Sequence, residues 1–498
     1  MSYAAFKMVH SPTGVENCVA AFLTHSAAPS GSSNNSMMQV DLPSSPSGFP
    51  EHSSAAAGQW GFSPRVRDTG SGGEFLPNLV VTKGNVLEVY RLRLQTGKAR
   101  SSRGSETGMA LGAKREGDIA GISSAWLELI CHHRLNGNVE SMAVLSHGRD
   151  GRLRRDAIML TFRDAKISVL DFDEAKHSLR TSSLHYFEGP DFQHLKRGRE
   201  KFPRGPLVRS DPHGRCAGVL LYGCQLVLMK AAQVGYDLGE EDESTATSVI
   251  AYAHIEFSYV VSLRDMEMKH IKDFVFLHGY IEPVVLVLHE KEPTWAGRVA
   301  MKSHTSIITA LSINTTLKQH PLIWSADNLP YDAYKLLAVP APIGGVLVVC
   351  ANSLHYHSQS SSCSLALNDF AVSPEGSTEF PKSKISVEFD AANATWISHD
   401  VAIFSTKTGN LFLLSLVFDG RIVQRLELSK SRASVLSSVT MGWSLFCRMI
   451  DLFVSLVKVY GAFANIGIVD RLVTWNSSVF ASLCKVHMHS WRHLFLLR

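Results

Sequence analysis

Five cations crowd into one short stretch: Lys196, Arg197, Arg199, Lys201 and Arg204, in the window KRGREKFPRGPLVRSDPHGR that runs on to Arg215. Spaced this way they suit the neutralisation of several phosphates, with Phe202 between them able to stack on a base. The same composition also suits a solvated loop or contact with an acidic partner protein. The net charge of +4 leaves no general electrostatic footprint for nucleic acid, so such a claim rests on this window. His355 and His357 are two apart, so in a strand they share a face and could chelate a metal. No cysteine or carboxylate stands nearby at matching spacing. They read, with His132 and His133, as ordinary sheet or loop histidines, and no metal or cofactor is expected. The sequence holds no G-x-S-x-G elbow, phosphate loop, H-E-x-x-H pair or dinucleotide fingerprint opening a helix. Asp171 and Asp173 fall at a strand end, where a turn role is commoner than acid–base work. The expectation is a protein that binds rather than catalyses.

The elements that would carry these residues are short apolar runs. DFVFLHG and VVLVLH flank a turn between Met268 and His289, and LLAV and VLVVC flank PAPIGG between Tyr334 and Tyr356. Runs of four to six β-branched and aromatic residues bounded by Gly and Pro predict buried strands. LVVT and VLEVYRL form a hairpin around Lys83-Gly84-Asn85, and strands are expected again at Cys18–Thr24, Ile255–Leu263, Arg298–Ile313, Ser386–Phe389, Trp396–Ser405 and Leu411–Phe418. Turn residues recur every eight to twelve positions, which fits a sandwich, barrel or propeller. Size favours the last: an all-β, divergent β-propeller of about seven four-stranded blades without the WD dipeptide.

Composition divides the chain into a first strand segment (1–25), a Ser/Gly/Pro-rich insertion (26–73), the propeller (75–438) and a divergent tail (439–498). The insertion has too few large apolar residues to offset the entropy of ordering, so disorder is expected there. The tail is apolar but interrupted by Arg448, Asp451 and Lys458, which leaves no uncharged run of membrane-span length. It is expected to be irregular and partly helical. Eight scattered cysteines include no C-x-x-C pair, so reduced thiols in a cytosolic or nuclear setting are expected.

Several stretches resemble the largest subunit of the cleavage and polyadenylation specificity factor in its plant form. They include MSYAAFKMVHSPTGVENC, LPNLVVTKGNVLEVY, CHHRLNGNVESMAVL, HYFEGPDFQHLKRGREKFPRGPLV, MKHIKDFVFLHGYIEPVV, TWAGRVA and LLAVPAPIGGVLVVCANSLHYHSQS. The resemblance covers residues 1–25 and about 75–438. The AVP-x-P-x-GG pattern at Ala338–Gly345 is shared more loosely with the large subunit of a damage-specific DNA-binding protein and with a splicing-factor subunit. It implies the first of three propellers and a nuclear, non-catalytic scaffold for pre-mRNA 3′-end processing. The implied partners are a WD-repeat subunit and a zinc-finger subunit, with pre-mRNA contacted directly or through them, and no membrane. Two other readings stay open, a direct RNA-binding module and a substrate adaptor of a ubiquitin ligase like the damage-binding relative. The insertion and the tail after about Leu436 depart from the family pattern, so that by this resemblance the propeller is expected to be incompletely closed, and the second and third propellers have no counterpart.

Overall fold

The computed structural model describes residues 14–24, 77–96, 122–146, 155–163, 165–197, 205–232, 253–373, 380–408 and 410–434. These form six four-stranded antiparallel sheets, each with its strands in chain order. The first blade holds β1 (Asn17–Ala21), β2 (Asn78–Lys83), β3 (Val86–Thr96) and β4 (Ile122–Arg134), and the second β5 (Val139–Leu145), β6 (Ala157–Phe162), β7 (Lys166–Asp173) and β8 (Ser178–Tyr186). The third holds β9 (Leu207–Ser210), β10 (Cys216–Leu221), β11 (Gln225–Ala231) and β12 (Ile255–Ser262). The fourth holds β13 (Lys269–Phe276), β14 (Val284–Glu290), β15 (His304–Ser312) and β16 (Leu322–Pro330). The fifth is β17 (Ala333–Ala338), β18 (Val346–Cys350), β19 (Ser353–His357) and β20 (Ser362–Ala366); the sixth is β21 (Asn393–Trp396), β22 (Val401–Ser405), β23 (Asn410–Asp419) and β24 (Ile422–Ser434). From β1 through β17, the first strand of each blade lies beside the first strand of the next, as in a propeller.

Six blades stand where about seven were expected, and the sixth has all four strands, so the described chain does not stop halfway through a blade. Ser386–Phe389 is not a strand. Its backbone instead covers the fifth blade irregularly, Val387 N–H donating to the Leu367 carbonyl (3.1 Å) and Phe389 N–H to that of Ala351 (2.8 Å). Arg298 lies not in a strand but in α1 (Ala296–Met301), one short helix before β15. The expected insertion at 26–73 and the tail at 439–498 lie outside the described residues. Among the described residues no helix is long and apolar enough to cross a membrane.

The core is a series of interfaces between blades. Every residue of β10, β14, β18 and β22 is buried. Successive side chains of a strand point to opposite faces. Val285 and Val287 therefore pack back on Leu226, Leu228 and Phe274, while Leu286 and Leu288 pack forward on Val346 and Val348. Because both faces are covered, the alternation is hidden and the sequence reads as a continuous apolar run. The turn PAPIGG depends on Gly345, at φ +84°, where a Cβ would lie 2.7 Å from the His357 carbonyl and 2.7 Å from the Tyr356 hydroxyl. That hydroxyl donates to the Gly344 carbonyl at 2.9 Å, closing the turn over a fully buried ring.

Polar clasps join the blades. Phe22 N–H donates to Asp156 (2.8 Å) between the first and second, and Val208 N–H to the Ser141 hydroxyl (3.2 Å) between the second and third. Asp273 joins three blades: its carboxylate, fully buried, accepts from its neighbour Phe274 N–H (3.0 Å) and from Leu336 N–H on β17 (2.9 Å). The Arg209 guanidinium on β9 stands 3.6 Å away from it. Ala392 N–H donates to the Tyr334 hydroxyl (2.9 Å) between the fifth and sixth.

Antiparallel strands with short connections send alternate turns to opposite rims. One rim gathers the turns after β2, β6, β10, β14, β18 and β22 together with the links between blades. Hydrogen bonds tie these together: Leu135 N–H to Asn85 O (2.7 Å), Leu263 N–H to Cys224 O (3.0 Å), and Tyr331 N–H to Ser303 O (2.9 Å). Lys196 and Arg197, in the link between β8 and β9, lie on this rim.

Candidate interaction surface

The link from the second to the third blade begins with Phe187 and a 3-10 helix, Pro190–Lys196, with Pro190 starting it and Leu195 buried beneath it. Phe192 meets Phe187 edge to face at 5.6 Å, and the Tyr222 hydroxyl donates to the Phe187 carbonyl at 2.9 Å. This apolar seat fixes where the basic stretch starts. Lys196 and Arg197 are exposed on it, the Lys196 ammonium 5.9 Å from the centre of the Tyr222 ring. Such a cation–π contact at an exposed site contributes about 0.5–1 kcal/mol. Neither cation has a carboxylate partner among the described residues. Arg199, Lys201 and Arg204 lie outside the described residues.

The far end of the basic window does different work. Arg215 is bidentate to Asp211, Nε to Oδ2 and Nη2 to Oδ1 both at 2.8 Å, and its Nη1 donates to the Tyr280 carbonyl (3.3 Å). Arg209 is drawn to Asp273. These two arginines are structural, and among the described residues of the window the free positive charge is that of Lys196 and Arg197.

The histidines are held by burial. His355 is 3% exposed, and its Nε2 shares a hydrogen bond with the Ser353 hydroxyl (2.8 Å). Its ring lies near-parallel to that of His357 at 6.4 Å. Burial, with His357 and His304 nearby, pulls the His355 pKa down to about 3, and burial pulls His357 down to about 4. Neutral rings can ligate, yet among the described residues no group of three His, Cys, Asp or Glu converges on a metal position. His132 instead contacts Glu88 (3.3 Å), which also pairs with Lys83 (2.6 Å) and accepts from the Tyr90 hydroxyl (2.6 Å). Burial pushes the Glu88 carboxyl up, but those three partners together hold it below the usual range. Asp173 caps a turn, accepting from Ala175 N–H (3.0 Å) and Lys176 N–H (3.2 Å), while buried Asp171 stands 3.7 Å from Arg180. The six described cysteines are free thiols, and burial raises the pKa of Cys131, Cys216 and Cys350.

Sequence reasoning missed Asp273, Asp211 and the loop around α1. Asp273 and Asp211 look in sequence like ordinary strand-end acids, and α1 is too short to show helical periodicity. Nothing in TWAGRVA marks its Trp as exposed.

This is a β-propeller whose inter-blade links gather on one rim. Residues 118–445 match the family model described as the RSE1/DDB1/CPSF1 first beta-propeller. The chain belongs to that family. It is 56% identical over 450 residues to cleavage and polyadenylation specificity factor subunit 1 of Arabidopsis thaliana, covering 90% of this chain and 30% of the relative. It is 54% identical over 438 residues to the probable subunit 1 of Oryza sativa subsp. japonica, covering 88% of this chain and 29% of that protein. Against the Drosophila melanogaster subunit 1 the identity is 35% over 375 residues. The chain thus spans less than a third of the length of these relatives, and the expected resemblance to the plant subunit is borne out.

Proposed function

We propose that the chain acts in mRNA 3′-end processing as a nuclear, non-catalytic scaffold whose rim engages other subunits of the cleavage and polyadenylation specificity factor. The observation that carries this reading is the 56% identity to the plant subunit 1, sustained over 90% of the chain. A rim of short, hydrogen-bonded turns on a rigid sheet framework supports it, since binding residues are commonly loops held by such a scaffold. The partners that fit are the WD-repeat and zinc-finger subunits. The family model spans the damage-binding relative as well, so fold alone does not separate a processing scaffold from a ubiquitin-ligase adaptor; the identity favours the former. Affinity purification of the full chain from nuclear extract tests this. Recovery of the WD-repeat and zinc-finger subunits supports it, and recovery of a cullin in their place sinks it.

RNA contact at Lys196, Arg197, Arg199, Lys201 and Arg204 is the secondary reading, favoured by the exposed, unpaired Lys196 and Arg197. Binding through these groups weakens with salt, log K falling by about 0.7 per phosphate for each unit of log salt. Reversing the five charges removes most of that slope. RNA affinity indifferent to the reversal rules the contact out.

A further inference from the structure

The loop between β14 and β15 presents two of the most exposed large apolar side chains in the described structure, Trp295 at 64% and Met301 at 90%, on either end of α1. Tyr331, 36% exposed, is joined to the same loop by its backbone bond to Ser303. A hydrogen-bonded path leads on to a fourth apolar group. Asp332 accepts from the Asn352 amide (3.2 Å), Asn352 accepts from Asn368 (3.0 Å), and Asn368 accepts from Phe370 N–H (2.9 Å). Phe370 is 82% exposed. Scattered single apolar groups need no explanation, but Trp, Tyr, Phe and Met gathered on one rim are the composition of interface centres.

The loop is also held rigid. Arg298 donates to the carbonyls of Glu292 and Pro293, and Thr294 donates to Glu290, which is itself buried and paired with Lys272 at 2.9 Å. Gly297 lies under the indole: a Cβ there would fall 1.9 Å from Cζ3 of Trp295. An exposed Trp fixed in this way loses little freedom on binding, which is how preorganised anchors gain affinity.

Charge says what should meet it. Lys291 and Lys302 flank the helix, both exposed and without a carboxylate partner among the described residues. The acids of the loop are already engaged, Glu290 by Lys272 and Glu292 by Arg298 at 4.0 Å. On the same rim Lys196 and Arg197 are free as well. The geometry points to a docking site, centred on Trp295, Met301 and Tyr331, for a partner polypeptide segment that offers apolar or aromatic anchors flanked by acidic residues. This rests on the scaffold reading above and names one surface of it.

A random-peptide phage library panned on the full chain tests the proposal, with Trp295→Ala and Met301→Ala as counter-targets. Peptides that combine aromatic or aliphatic anchors with Asp or Glu are expected. Their affinity should drop about tenfold or more in Trp295→Ala, as for loss of a central aromatic anchor. Gly297→Ala keeps the Trp but displaces its ring, so it should weaken the same peptides. Thermal unfolding of Trp295→Ala and Met301→Ala should match the parent, since neither side chain is buried. Any of four results from the peptide selection overturns the proposal: no enrichment, basic consensus peptides, peptides indifferent to Trp295→Ala, or peptides that bind better once residues 435–498 are removed. The last would make the chain's own tail the occupant. Self-association in sedimentation that Trp295→Ala abolishes would make it a second copy, which also overturns it. If the chain recovers the processing subunits yet selects no such peptide, this inference fails while the scaffold reading stands.

Discussion

Replacing Asp273 should loosen three blades at once. The carboxylate is fully buried and receives two backbone N–H groups, from Phe274 and from Leu336 of the next blade, with Arg209 of the preceding blade at 3.6 Å. In Asp273→Ala both N–H groups lose their acceptor in a place water does not reach, at about 1–3 kcal/mol each. Removal also strands the partly exposed Arg209 charge, a smaller loss because solvent screens it. The total expected is about 3–5 kcal/mol, a large part of the stability of an ordinary domain. Asp273→Asn keeps the shape and one acceptor oxygen, but turns an NH2 group towards the other donor. It should cost roughly half as much. Denaturant unfolding gives the magnitude, and hydrogen exchange read by mass spectrometry on peptides covering 270–277 and 333–339 gives the location. Faster exchange confined to these two strands is expected at denaturant concentrations where the rest stays protected. An Ala variant within about 1 kcal/mol of the parent would refute the argument that this carboxylate couples the blades.

Gly345→Ala should destabilise by about 1–3 kcal/mol, because the residue must keep φ +84° and its Cβ meets the His357 carbonyl. An unchanged unfolding midpoint would count against that. Acid should weaken the fold before the carboxylates titrate. Burial, with the Lys291 charge, pulls the pKa of His289 down to about 4, and His355 goes to about 3. The unfolded rings take up protons near pH 6.5, so between there and about pH 4 the unfolded state binds more protons and stability falls as pH falls. The two rings together should cost about 3 kcal/mol between pH 6.5 and 5, with half-buried His357 adding less. Stability that stays flat over that range in denaturant titrations contradicts it.

Much of the fold is legible in the sequence because its middle strands are apolar on both faces. VVLVLH and VLVVC become β14 and β18 within a residue or two, and PAPIGG is a turn because Gly345 admits no side chain. Ser386–Phe389 misleads for a related reason. Its Phe389 is buried and its Val387 half-buried as in a strand, but its N–H groups go to carbonyls of two different turns rather than to a ladder. The site was less legible. Lys196 and Arg197 stand where the basic stretch suggests, while Arg209 is engaged by an acid 64 positions away and Arg215 by Asp211 and two carbonyls of the next blade. Local composition cannot distinguish a free cation from one paired across the fold. The exposed Trp295 was likewise invisible, since a Trp in sequence predicts burial.

The proposed scaffold role requires this propeller to bind other 3′-end processing subunits. Mixing the purified full chain with the purified WD-repeat subunit and resolving the mixture by size exclusion tests it most directly. The account predicts a monodisperse complex that survives moderate salt. A well-folded, monodisperse chain that elutes alone at every concentration tried would contradict it.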